Sequence, residues 1–286
     1  MSTSDKAVPV ITTRAELRTA VGVWRRAGLK IALVPSMGAL HAGHLALTRA
    51  ARAAADRTVV SIFVNPAQFA PHEDFARYPR NLDQDRLMLE AAGTADLIYA
   101  PTPTEMYPEG FATRIVTDGP ARGLETDFRP HFFSGVTTVV AKLFLQCRPD
   151  FAMFGEKDYQ QLLVVQHLSR DLDIGVDVIG VPTVRETDGL ALSSRNAYLN
   201  QPQRAVAAAL NRTLDIVASR VKTGIPIPQA EAEGAAELIT AGFDRVDYVA
   251  VRDAQTLAPL RQLSVPARVL AAARIGSVRL IDNKEV

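Results

Sequence analysis

The chain has one cysteine in 286 residues, so no internal disulfide can form, which suits a reducing cytoplasm. That residue, Cys147, sits in the apolar stretch KLFLQCRPD with no histidine beside it, and reads as a packed thiol rather than a nucleophile. The formal net charge is only +1, so the protein as a whole is no polyanion binder, and no nucleic-acid partner is expected. Any attraction for phosphate must be local. No apolar run approaches the length of a membrane span. The opening MSTSDKAVPVITTRAEL lacks the basic start and apolar block of a secretion signal. A cytoplasmic protein without membrane contact is the expectation. The chain also lacks G-x-G-x-x-G and G-x-x-x-x-G-K-[ST], which disfavours two common nucleotide-binding schemes. Internal repeats and low-complexity tracts are absent too.

What is present is ordinary for a globular chain: 48% hydrophobic and 22% charged residues, over a length comfortable for two domains. Short apolar runs at 30–35, 57–64, 95–100, 151–154 and 176–181 read as strands. Helical patterns at about 43–55, 83–92, 136–146 and 159–171 lie between them. Strands that are apolar throughout, alternating with helices, require a parallel sheet covered on both faces. This predicts an α/β fold, a Rossmann-like doubly wound parallel sheet over residues 1–183, with its site at the carboxyl ends of the strands. After Thr183 the texture changes. Helices at about 202–221 and 229–241 precede strands near 246–251, 267–273 and 278–281, predicting a smaller C-terminal α+β domain over 184–286.

Four stretches carry chemistry. In VPSMGALHAGHLALTRAA a strand enters a glycine-containing turn, and His41 and His44 follow at a helix start. Helix N-termini leave amide hydrogens unpaired and attract phosphate. Gly38 and Gly43 allow close backbone approach. Imidazoles three residues apart share one face and can donate to phosphate oxygens. A metal pair or a plain helix cap are the bland alternatives. H-x-G-H after a strand is similar to the HIGH-type signature of the nucleotidylyltransferase superfamily. In FGEKDYQQL, Lys157 suits a triphosphate, Asp158 can cap a helix or accept from ribose hydroxyls, and Gln161 offers a donor and an acceptor to a polar substrate. In DGLALSSRNAYL, a Ser-Ser-Arg loop can close on phosphates. The stretch SIFVNPAQFAPHEDFARYPRN brings Asn65 and Gln68 to the carboxyl edge of the sheet, and an amide pair such as Gln68 and Gln161 suits a neutral hydroxyl-bearing acid.

Taken in order, PSMGALHAGH, SIFVNPAQF, YPRN, FGEKDYQQL, VPTVRETDGLALSSRNAYL and the closing RLIDN resemble the pantoate–β-alanine ligase family, from about Thr12 to the end. The resemblance implies an ATP-dependent ligase that condenses pantoate with β-alanine through a pantoyl adenylate, releasing AMP and pyrophosphate. It further implies a homodimer, with Mg²⁺ arriving on the nucleotide and no metal ligand assigned in the protein. By position, His41, His44, Lys157, Ser193, Ser194 and Arg195 would act on the phosphates. Pro35, Ser36, Met37, Gly43, Gly155, Asp158, Val184 and Leu192 would border ATP. Met37, Asn65, Gln68 and Gln161 would hold pantoate.

The chain departs from the family pattern at three places. Ala42 replaces a usual Glu, Ser36 a usual Thr, and R-P-G-H-F-x-G-V becomes Arg129-Pro130-His131-Phe132-Phe133-Ser134-Gly135-Val136. Counted back from Gly135, Phe132 stands in the histidine's place, so no family role passes to His131. Two rival activities remain. A nucleotidylyltransferase that keeps the nucleotidyl group on a phosphorylated product would call for extra Arg or Lys near Gln68 and Gln161. A nucleotide sensor without turnover would not need complete phosphate-side motifs.

Overall fold

The computed structural model describes residues 7–70 and 73–286. Packing divides the chain into two compact units. The first comprises the chain up to Thr117, His131–Gly155 and Val164–Val181. The second comprises Asp118–Pro130, Glu156–Leu163 and Pro182–Val286.

The first unit is built on β1 (Val10–Ile11), α1 (Arg14–Arg26), β2 (Ile31–Ser36), α2 (Ala42–Ala54), β3 (Arg57–Ile62), α3 (Leu82–Ala92), β4 (Leu97–Tyr99) and α4 (Pro103–Met106). The one-turn helix α5 (Glu125–Phe128) belongs to the second unit. Then come α6 (Phe132–Cys147), β5 (Phe151–Gly155), α7 (Tyr159–Asp171) and β6 (Asp177–Val181). The division between units falls inside α7. Six strands form one sheet in the order β1-β4-β3-β2-β5-β6, and every pairing is parallel. The doubly wound fold is as expected. Successive strands step outward one way from β2 and then the other way from β5. Between the ends of β2 and β5 lies the crevice where such sheets bind ligands. Ala32 and Val34 pack with Leu47, Ala51 and Leu89 of α2 and α3 on one face. Ile31 and Leu33, pointing the other way, are equally buried, so both faces are covered.

The helix α1 and the two-residue β1 were not anticipated, although T-x-x-E announces the helix. Thr13 Oγ1 accepts from the Glu16 amide at 3.2 Å, and the Glu16 carboxylate accepts from the Thr13 amide at 3.0 Å.

The second unit carries α8 (Gln201–Ala207), α9 (Ala209–Lys222), α10 (Ile227–Thr240) and an antiparallel sheet of β7 (Arg245–Asp253), β8 (Ala267–Ile275) and β9 (Val278–Glu285). The expected single helix over 202–221 is two. It is interrupted at Ala208, whose φ of −63° and ψ of −19° flatten one turn toward 3₁₀ geometry. Leu210, Leu214, Val217, Ile227 and Leu238 from α9 and α10 cover Val249, Val251, Val269 and Ala271 of the sheet. Alanine-rich β8 is buried along nearly its whole length, since small side chains let helices approach closely. Among the described residues no helix is long and apolar enough to cross a membrane.

Cys147 closes α6 and is fully buried, which pushes its thiol up to about 12. At pH 8 only ~10⁻⁴ of it is thiolate, and thiolate is the reactive form. The native protein should therefore resist a thiol reagent and release one equivalent on unfolding in guanidinium. Rapid labelling without denaturant would contradict this packing.

Candidate active site

The end of β2 carries the first group of candidate site residues. Ser36 Oγ donates to the Ser61 carbonyl at 3.0 Å and accepts from the Gly38 amide at 3.2 Å, which turns the chain out of the sheet. Gly38 (φ 83°) and Ala39 (φ 51°) both take the left-handed conformation. A side chain at Gly38 would meet Asp85 Oδ2 at 2.9 Å, so glycine is required there. The amides of Ala39 and Leu40 then point to one buried carboxylate, Asp85 of α3, at 3.0 and 2.7 Å. Burial raises the Asp85 pKa, and the two amides oppose the rise.

This turn delivers His41 as the N-cap of α2 with an extended backbone (φ −145°, ψ 179°). Its Nδ1 accepts from the Gly43 amide at 3.1 Å, and His44 Nδ1 accepts from the His41 amide at 3.3 Å. The cap reading and the phosphate-donor reading are thus compatible. With Nδ1 accepting in both rings, the neutral tautomer carries its hydrogen on Nε2, the nitrogen suited to donate to an anion. The two ring centroids lie 4.2 Å apart.

A second group leaves β3. Asn65 is buried at the start of a 3₁₀ turn, Pro66–Gln68. Its Oδ1 accepts from the Ala67 amide at 3.2 Å and from the Tyr107 hydroxyl at 2.8 Å. Its Nδ2 donates to the Gly135 carbonyl and to Gln68 Oε1, both at 3.1 Å. Backbone groups cannot flip, so the Ala67 amide and Gly135 carbonyl fix the Asn65 amide, and Asn65 fixes Gln68. Gln68 Nε2 consequently turns to Met37, 3.0 Å from its sulfur. Gly135 lets α6 lie close against this turn, because a Cβ there would meet the Ala67 carbonyl oxygen at 2.3 Å. Of the long stretch from Ser61 to Asn81, Pro71 and His72 lie outside the described residues. Within it the Phe69 ring packs edge-on against Phe75 and Tyr78 at 5.3 and 6.0 Å.

The remaining residues belong to the second unit, apart from Gly155, the last residue of β5. Beyond it, Lys157 and Asp158 form a 3₁₀ turn with Nζ and Oδ2 3.5 Å apart, and the lysine is the less exposed of the two. In the pair Gln160–Gln161 the first is structural. Its Oε1 accepts from the Glu125 amide, and its Nε2 donates to the Pro120 and Gly123 carbonyls. Gln161 beside it is half-buried. Val184 and Leu192 meet across a hairpin, with the Leu192 amide 3.0 Å from the Val184 carbonyl. Arg185 braces the hairpin by donating to the Gly189 carbonyl and pairing at 2.6 and 2.9 Å with Asp282. The chain then enters the Ser194–Tyr198 3₁₀ turn, where Ser193 Oγ caps the Arg195 amide at 3.3 Å.

Pro35, Ser36, Met37, His41, Gly43, His44, Asn65 and Gln68 therefore share the first unit with Gly155. Lys157, Asp158, Gln161, Val184, Leu192, Ser193, Ser194 and Arg195 share the second. His131 is exposed at the start of α6, while Phe132 is buried and packs on Phe133 with centroids 5.0 Å apart. Asp85 and Tyr107 were missed from sequence. Their partners lie 45 and 42 residues away, so no local pattern marks them.

A profile of the family described as pantoate-beta-alanine ligase matches residues 9–285. The chain is 57% identical over 277 residues to the pantothenate synthetase of Mesorhizobium japonicum, covering 97% of each chain. It is 54% identical over 277 residues to that of Paramagnetospirillum magneticum, again covering 97% of each. The crystal structure of pantothenate synthetase from Thermus thermophilus superposes with a TM-score of 0.89 at 48% identity, covering 97% of this chain and 99% of that one. A Francisella tularensis pantoate-beta-alanine ligase, complexed with beta-gamma ATP and beta-alanine, gives 0.82 at 32% identity over 98% of both chains.

Replacing Asp85 by Ala would remove the carboxylate that accepts from the Ala39 and Leu40 amides. The expected loss in unfolding free energy is about 1–3 kcal/mol, read by urea denaturation. An unchanged midpoint would show that the turn holds itself.

Proposed function

We propose that the chain, which belongs to the pantoate–β-alanine ligase family, uses ATP to activate pantoate as an adenylate and then joins it to β-alanine. The observation that carries this reading is the pair of imidazoles locked by Nδ1 onto the start of α2, at the carboxyl end of β2. A relative complexed with an ATP compound and β-alanine supports both as ligands here.

In the first step a carboxylate oxygen of pantoate attacks the α-phosphorus in line. The bond to the bridging oxygen breaks, and pyrophosphate leaves with the electron pair. In the second, the amine of β-alanine attacks the acyl carbon, loses a proton and expels AMP. Phosphoryl transfer of this kind needs positioning and charge neutralisation, not a protein nucleophile. His41 and His44 are proposed to donate from Nε2 to phosphate oxygens as charge accumulates. Lys157, Ser193, Ser194 and Arg195 are proposed to neutralise the departing pyrophosphate. Pro35, Ser36, Met37, Gly43, Gly155, Asp158, Val184 and Leu192 are proposed to border the nucleotide. Gln68, oriented by Asn65, and Gln161 are proposed to recognise pantoate's oxygens beside Met37. Neutral amides recognise hydroxyls without adding a charge that must be buried.

Mg²⁺ is proposed to arrive on the triphosphate and spread its negative charge, as the ion keeps phosphate and water ligands in preference to a protein cage. Among the described residues no three His, Cys, Asp or Glu side chains gather as ligands, and the proposal assigns the ion no ligand from the protein. A homodimer in the cytoplasm completes the reading.

Incubation with ATP, Mg²⁺, pantoate and β-alanine should yield AMP, pyrophosphate and an amide. His44→Ala or Lys157→Ala should each slow AMP release by about 10³-fold with folding intact. AMP retained in the product, or full activity of Lys157→Ala, would sink the proposal.

A further inference from the structure

The closing motif RLIDN has a place in the family resemblance but no function so far. Its Asn283 lies on β9, buried, opposite Leu270 of β8. Neighbouring residues on a strand face opposite ways. Asp282 accordingly turns to Arg185, and Asn283 turns to the chain just beyond β5. There its Nδ2 donates to two consecutive carbonyls, those of Glu156 at 2.8 Å and Lys157 at 2.9 Å. Its Oδ1 accepts from Arg268 Nη1 at 2.5 Å. Arginine can only donate, so Oδ1 must face Arg268, and both hydrogens of the amide must face the carbonyls. Arg268 itself lies over the Tyr159 ring, with Cζ 3.8 Å from the centroid. The order Tyr159–Arg268–Asn283–Lys157 is thus fixed at each step.

This contact has a mechanical consequence. The carbonyls of 156 and 157 lie past the last paired residue of β5, where no strand can take them. Holding both of them fixes the peptide planes on either side of Lys157 Cα, and with them the direction in which its side chain leaves the backbone. We propose that Asn283 is a positioning residue that aims Lys157 at the triphosphate through these two carbonyls. The proposal rests on the function given above for Lys157.

Asn283→Asp separates this role from folding. The carboxylate keeps and strengthens the pair with Arg268 but turns an acceptor toward two acceptors. The expected outcome is a loss of about 100-fold in kcat for AMP release, as for a small misplacement of a reacting group, with KM for pantoate moved by less than about twofold. Combined with Lys157→Ala, the variant should add no further loss, because a residue that acts through Lys157 has nothing left to aim. A kcat near the parent's, or an independent additional loss in the double variant, would overturn the proposal. Should Asn283→Asp fold poorly, Asn283→Ala takes its place in the same cycle.

Amide hydrogen exchange at residues 156–160 gives a readout free of turnover. It should quicken by about tenfold in Asn283→Asp, and unchanged exchange also counts against the brace. A parent that releases no AMP would remove the assigned reaction instead, and exchange would then decide the brace alone.

Discussion

Backbone groups that leave a strand or helix must find partners elsewhere, and in this protein single buried polar side chains supply them. Asp85 takes the two amides of the turn before His41. Asn65 takes one amide and one carbonyl around Gln68. Gln160 takes one amide and two carbonyls of the segment 120–125. Asn283 takes the two carbonyls that flank Lys157. Three of these loops carry, or adjoin, a residue of the candidate site, and Gln160 itself precedes Gln161 in the chain. Without its side-chain partner each would lose definition, since an unsatisfied buried amide or carbonyl costs as much as a hydrogen bond gains. Buried polar groups hold these segments, and residues of the candidate site stand in or beside them.

The second unit shows the same principle with full charges. Glu125 receives both guanidinium ends of Arg279 at 2.8 Å and the Tyr248 hydroxyl at 2.8 Å, while Arg279 Nε donates to wholly buried Asp247 at 2.7 Å. Burial, and then the Glu125 carboxylate, push the Tyr248 hydroxyl well above its ordinary value. A buried ion pair adds little net stability over an apolar replacement, but removing one partner strands the other. Such a cluster therefore enforces one arrangement of the segment that leads into α6 more than it strengthens the fold.

Much of this was legible in the sequence. Apolar strands alternating with helices announce a parallel sheet, because only burial on both faces permits such composition. VPSMGALHAGH places a turn and two imidazoles at a helix start, since glycine and the 3.6-residue period leave few alternatives. What escaped has a common character. Helix α1 was marked by T-x-x-E, yet β1 before it has two residues, too short for any period to appear. The interruption at Ala208 lies inside an unbroken alanine-rich pattern and has no sequence signal.

By itself, then, the sequence determined the order of elements, the α/β class, and which residue types could answer a phosphate. All of these follow from periodicity and local chemistry. Tertiary structure alone decided which of Gln160 and Gln161 is consumed by the backbone, and which way Gln68 points. It also chose Asp85, Tyr107 and Asn283 as the groups beneath them. Those choices depend on hydrogen bonds between residues tens to more than a hundred positions apart, and chain folding, not spacing along the chain, brings such donors and acceptors within reach.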